Sequence, residues 1–180
     1  QEITTNAGVK GGWALSGKTP DPDMTGMSLQ ALAPYYLDSG LYEQTGAGTD
    51  YEEFCTAVER GIAAMADMQL AHGGFASWGT VNSESAVQII VALTALDINP
   101  LEDNLYLERI GRTVSFVKEG GVHDGVYTDN MIDYLLTFWA YGSGTSPEVG
   151  GFKHVTEGYD GGGGSGTAVN GMATDQALYG

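Results

Sequence analysis

Four times along these 180 residues a glycine pair is followed by an apolar residue, a short polar stretch, and an Asp or Asn standing before an apolar run. Gly11-Gly12-Trp13 precedes Asp23-Met24-Thr25, and Gly73-Gly74-Phe75 precedes Asn82-Ser83. Gly120-Gly121-Val122 precedes Asn130-Met131, and Gly150-Gly151-Phe152 precedes Asn170-Gly171-Met172. Asp and Asn in such places accept hydrogen bonds from the otherwise unpaired N–H groups of a helix's first turn. A chain punctuated in this way reads as a helical repeat protein whose units bury their apolar faces on one another.

Taken in order, the chain gives about six helices. Gln1 to Lys10 is polar and aperiodic and reads as a frayed entry. Asp23 opens the first helix, over 24–37, with Pro34 stopping or kinking it near its end. Asp38 to Asp50, with Gly40, Gly46 and Gly48, reads as a surface loop. Asp50 then caps a second helix over 51–71, whose residues Phe54, Val58, Ile62 and Met65 recur at helical spacing while Glu52, Glu59, Arg60 and Asp67 fall on other faces. The third, 83–96, is apolar nearly all round (Ala86, Val87, Ile89, Ile90, Leu93) and must be surrounded by other helices. A one-sided helix over 104–118, with Leu107, Ile110, Val114 and Val117, is followed by an apolar one over 130–141 and a last one over 171–180. Gly142 to Gly171 holds 11 glycines and is either a mobile insertion or a functional loop.

Alternation of one-sided with all-apolar helices is expected of a double-layered ring, with inner helices near 24–37, 83–96, 130–141 and 171–180 and outer ones near 51–71 and 104–118. The predicted fold class is therefore all-α in a single domain over residues 1–180. These units resemble the repeats of the α/α toroid superfamily of squalene cyclases, prenyltransferase β-subunits, complement-type thioester domains and cobalamin carriers, and the resemblance implies that the domain is a partial α/α toroid. The likeness is nearest to bacterial secreted or surface proteins of the prenyltransferase-like, transcobalamin-like group. It rests on Asp23 to Tyr36 (DMTGMSLQALAPYY), on Asn82 to Gln88 (NSESAVQ) and on Met172 to Tyr179 (MATDQALY). A complete ring of that kind needs roughly twice the helices found here. The chain resembles its C-terminal half, and the resemblance implies a partner: the missing half of the toroid or a second copy of the chain.

Charge narrows the function classes. With 23 acidic against 7 basic residues the formal net charge is −16, a field that repels nucleic acid and anionic membrane. No apolar run approaches the roughly 20 residues that span a bilayer. Cys55 is alone, so no internal disulfide forms, which fits a reduced cytosol and a cysteine-poor exported protein equally.

Asp21-Pro22-Asp23-Met24-Thr25 resembles the D-x-D-D-T motif of class II terpene cyclases, in which the middle acid protonates an alkene. Asp23 would be that acid, but Met24 replaces the acid beside it. Gln69 to Phe75 resembles the Q-x-x-x-G-x-W turn that braces cyclase repeats. The D-x-D-x-T-G opening at Asp21 also mimics a calcium loop, but Leu32 stands where an EF-hand needs its bidentate Glu. His72, His123 and His154 have no ligand spacing, so no metal is assigned.

The ring places the N-termini of the inner helices on one rim, where Asp23, Thr25, Asn82, Asn130 and Asn170 sit beside the positive helix ends. Trp13, Phe75, Trp78, Tyr127 and Phe152 on adjoining loops add flat apolar surface. Asp23 with Met27 resembles a stretch of the cobalamin carriers that touches their ligand. No cofactor is expected, and a corrinoid enters only as the ligand this resemblance implies. The expected protein is a non-catalytic binding or adhesion module, extracellular or on the cell surface. The alternative is a cyclase-like enzyme with Asp23 as general acid.

Overall fold

The computed structural model describes residues 2–4, 10–141, 150–160, 164–165 and 168–180. Much of the polar entry and of the glycine-rich stretch lies outside the described residues, and so do those two expectations. Six helices are present among the described residues, and five of them stand near predicted positions. Helix α1 (Pro22–Leu37) begins two residues earlier than expected, and its cap is Asp21, whose Oδ1 accepts from the Met24 N–H at 3.1 Å. Pro22 explains the shift. Proline forces the residue before it into extended geometry and is at home in the first helical position, so Asp21 caps and Asp23 lies inside the first turn. Pro34 is carried within the helix rather than ending it.

The stretch read as a loop after Leu37 contains a short helix, α2 (Ser39–Gln44), capped by Asp38. Tyr42 anchors it by stacking on Phe54 at 4.5 Å between ring centroids. Helix α3 (Tyr51–Met68) is capped by Asp50 as expected, and ends three residues short of Ala71. Gln69 turns extended there, and its Nε2 donates to the carbonyls of Gly73 (2.9 Å) and Phe116 (3.1 Å). That amide braces the turn against a segment 47 residues away.

The all-α ring is overturned. Among the described residues four two-stranded antiparallel ladders lie between the helices, so the fold is mixed α and β. Strands β1 (Ala76–Ser77) and β2 (Thr80–Val81) flank Trp78-Gly79, while β5 (Val122–His123) and β6 (Val126–Tyr127) flank Asp124-Gly125. All four of those turn residues have positive φ, the geometry that matches the twist of a two-residue hairpin. The expected outer helix over 104–118 is a third hairpin, β3 (Leu105–Leu107) with β4 (Arg112–Val114), closed by Gly111 at φ +61°. Leu107 and Val114 stay buried as the pattern demanded, but they reach the core from strands. The fourth ladder pairs β7 (Tyr159–Asp160) with β8 (Gly164–Ser165).

Helix α4 (Ser83–Ala95) has the predicted position, cap (Asn82) and burial. Its surroundings are α1, α5 and α6. Gly26 on α1 lets the two backbones touch, since a Cβ there would lie 2.8 Å from the Gln88 carbonyl oxygen. Helix α5 covers only Met131–Leu136, shorter than the expected 130–141, and its cap is Asn130. Helix α6 (Gly171–Tyr179) is capped by Asn170. One apolar core runs from Leu29 through Ile62, Phe75, Ile89 and Tyr134 to Ala173.

Candidate functional site

Three helices bring their first turns to one cleft of about 360 Å³. From its cap, each contributes the residue two positions on and the residue six positions on. Those are Asp23 and Met27 from α1, Glu84 and Gln88 from α4, and Met172 and Gln176 from α6. Residues four apart share a helix face, so each pair stacks one turn above the other. The β1–β2 hairpin supplies Ser77, Trp78 and Thr80, and His154 closes the side. The walls stand open: Trp78 is 81% exposed, Met27 52% and Met172 53%.

Glu84 is the buried acid of the cleft, its side chain only 8% exposed. Its Oε2 lies 2.9 Å from Ser83 Oγ, whose single proton also has the Lys153 carbonyl within reach at 2.8 Å, and 2.8 Å from His154 Nδ1, while its Oε1 has no hydrogen-bond partner. His154 is fixed in turn by its own carbonyl, which accepts from the Ser83 N–H at 3.1 Å. An enclosed acceptor left without a donor costs about 1–3 kcal/mol.

Asp23 is the second acid. Burial pushes its carboxyl above the ordinary range, and the charges of Asp21 and Glu84 add to the shift, against nearby hydroxyls of Ser85 and Ser77. Ser77 Oγ is committed to Asp21 Oδ2 at 2.7 Å, which leaves Ser85 as the hydroxyl Asp23 can draw on. Asp23 Oδ1 itself is enclosed and makes no hydrogen bond. An amide chain crosses the floor: Gln30 Nε2 donates to Gln88 Oε1 (2.9 Å), and Gln88 Nε2 to Gln176 Oε1 (3.1 Å).

Of the residues expected at the rim, Asp23, Asn82 and Trp78 line this cleft. Asn82 is occupied as a cap, its Oδ1 accepting from Ser85 N–H at 2.8 Å. Asn170 caps the third helix of the cleft, from Ala173 N–H. Thr25 and Trp13 form a brace: Thr25 is fully buried and exchanges hydrogen bonds with the Trp13 backbone at 3.0 and 3.1 Å. Phe152 repeats that brace with Thr174. Phe75 is entirely within the core. Asn130 caps α5, whose corresponding positions Ile132 and Leu136 are apolar and line no part of the cleft. Tyr127 lies exposed on β6 beside a different groove. The residues that sequence reasoning missed are Ser77, Thr80, Glu84, Gln88, His154, Met172 and Gln176. For four of them the signal was present, because counting two and six positions from each cap finds Glu84, Gln88, Met172 and Gln176.

Among the described residues no group of three or more His, Cys, Asp or Glu side chains is arranged to hold a metal ion. Among the same residues no helix is long and apolar enough to cross a membrane. Comparison of the chain with protein-family models, with curated proteins and with solved structures finds no match.

Proposed function

We propose that this chain is a binding module without catalysis, and that its ligand occupies the cleft where the first turns of α1, α4 and α6 meet. The observation that carries this reading is the openness of the cleft beside an exposed indole. Trp78 is held out at 81% exposure by a hairpin turn with positive φ, a costly place to keep a large apolar ring unless something covers it. A cyclase acid would need the opposite surroundings. Carbocation chemistry calls for a closed, water-free, aromatic cavity, whereas Trp78 is the single aromatic side chain among the residues lining this one, Phe, Tyr and Trp counted. A polyprenyl diphosphate also fits poorly, because none of the seven basic residues lines the cleft.

A place outside the cell or on its surface belongs to the same proposal and rests on the family resemblance alone. Pairing with a second copy belongs to it too, and draws support from the apolar residues that α6 leaves exposed. The test is a thermal-shift panel of corrinoids, polyprenyl diphosphates, sugars, amino acids and amines, run on the native chain and on Trp78→Ala. The expected result is a shift with one class that Trp78→Ala reduces at least about tenfold in apparent affinity. Isoprenoid turnover by the native chain that is lost in Asp23→Asn would replace this reading with the enzymatic one.

A further inference from the structure

Resting on the binding reading above, we infer that the ligand of this cleft is an organic cation, an ammonium or guanidinium group carried on an apolar stem. The inference starts from the hydrogen-bonding inventory of the walls. Asn82 spends its oxygen on the Ser85 N–H and its Nδ2 on the Thr80 carbonyl. Ser77 spends its hydroxyl on Asp21, and Gln88 is held at both ends by Gln30 and Gln176. Three enclosed atoms at the acidic end make no hydrogen bond, Glu84 Oε1, Asp23 Oδ1 and the Ser85 hydroxyl, and with that one hydroxyl available to Asp23 the surplus left over is of acceptors. A ligand group that meets them must donate.

Charge then separates cations from neutral donors. Three helix N-termini point here, and each carries roughly half a positive charge. Against them stand the carboxylates of Asp23 and Glu84 in the cleft and of Asp21 just behind it. Even with His154 protonated beside Glu84 at 2.8 Å, the three negative charges exceed one imidazolium and three half-charges. The protein's arginines do not offset it: Arg60 is paired with Glu2, Arg109 with Glu52 and Glu59, and Arg112 with Asp67, all away from the cleft. The net charge of −16 adds long-range attraction for a cation. Apolar contacts fix the rest of the ligand. Met27 and Met172 flank the acids with soft, adaptable side chains suited to an alkyl stem. Trp78 offers the aromatic face that binds cations best.

The shared chemistry has two sources, a free alkylamine or a Lys or Arg side chain of a peptide. Both are titrated into the isotopically labelled native chain and followed by amide and indole NMR shifts. The probes are pentylammonium chloride, N-acetyl-lysine methylamide and N-acetyl-arginine methylamide, with 1-pentanol and sodium pentanoate as neutral and anionic counterparts. The expected result is that the cations shift the Trp78 indole and the Gln88 and Gln176 side-chain amides, with affinity at least about tenfold above 1-pentanol. That affinity should fall with added salt, and fall again in Glu84→Gln and in Asp23→Asn. If Glu84→Gln fails to fold, Asp23→Asn and the salt dependence carry the test. Tighter binding of the capped amino acids than of pentylammonium identifies a peptide source, and the reverse a free amine. Equal or tighter binding of 1-pentanol or pentanoate at the same resonances overturns the cation and leaves the binding cleft standing. Shifts at those resonances with none of these probes and none of the thermal-shift panel would remove both.

Discussion

Two aspartates separated by one proline divide capping from binding at the residue scale. Asp21 makes the helix-capping bond and also receives Ser77, whereas the Oδ1 of Asp23 is enclosed without a hydrogen-bond partner. Asp21→Ala should therefore cost about 1 kcal/mol of stability. Asp23→Asn should cost nothing at neutral pH, and should gain stability. A carboxyl whose folded pKa lies above its unfolded value favours the fold at acid pH, and that contribution is lost as pH rises through the raised value. At neutral pH the charged Asp23 is a burden that Asn lifts. Urea denaturation of both variants at neutral and acid pH checks this, and equal losses in the two would make Asp23 a second cap. The sequence marked Asp23 as important, yet assigned it the capping function that belongs to Asp21. The fixed φ of Pro22 was the sign that went unread, because it moves the cap one place before the proline. Such acceptance of a cost at one residue is common where a site serves something other than stability.

Elements were legible where they were long. The burial of α4 and the Asp or Asn caps of α3, α4, α5 and α6 follow directly from apolar spacing and cap chemistry. Hairpins with strands of two or three residues carry no period to read, and Leu107, Ile110 and Val114 happen to fit a helical one. Trp78-Gly79 and Asp124-Gly125 were the local evidence for turns, since Asp-Gly between Val-His and Val-Tyr is a strong hairpin signal. The β5–β6 hairpin has a measurable consequence. His123 packs 4.7 Å from Tyr134 and 5.0 Å from His72, between ring centroids, and His72 stacks on Tyr134 at 5.0 Å. The Thr137 hydroxyl donates to the Tyr134 carbonyl, so His123 Nδ1 donates to Thr137 Oγ1 at 2.7 Å. His72 Nδ1 accepts instead, from the Gly74 N–H at 3.3 Å. Burial holds both imidazoles below the ordinary histidine value of 6.5, and His72 adds to the shift at His123 against the pull of Asp124 and Glu157. A histidine harder to protonate when folded lends stability above its unfolded pKa, and that stability is lost as pH falls below about 6.5. Denaturation midpoints should therefore drop between pH 7.5 and 5.5, and less steeply in His72→Phe, which keeps the ring stack without the charge. A native midpoint unchanged over that interval would rule the linkage out.

At the scale of the whole molecule, the ring geometry that made a missing half necessary is gone, but exposed apolar surface remains. Leu178 and Tyr179 on α6 are 74% and 78% exposed, with Met172 on the same helix. Sedimentation of the native chain is expected to show a concentration-dependent dimer that Leu178→Lys with Tyr179→Lys returns to monomer. A monomer at all concentrations in the native chain would end the proposal of a second copy. The row of glutamines on α1, α4 and α6 acts on this same scale. Gln30 Nε2 also donates to the Gln88 backbone carbonyl at 3.1 Å, and a carbonyl can only accept. That one bond sets which way the Gln30 amide faces, hence the Gln88 amide, hence the Gln176 amide, whose oxygen is taken and whose NH2 group is left as the end of the row. The cleft thus has a head and a tail: its Glu84 and Asp23 end receives protons, and its Gln176 end offers them. A guest with a donor at one terminus and an acceptor at the other fits one way round, and a turnabout would set like against like at both ends.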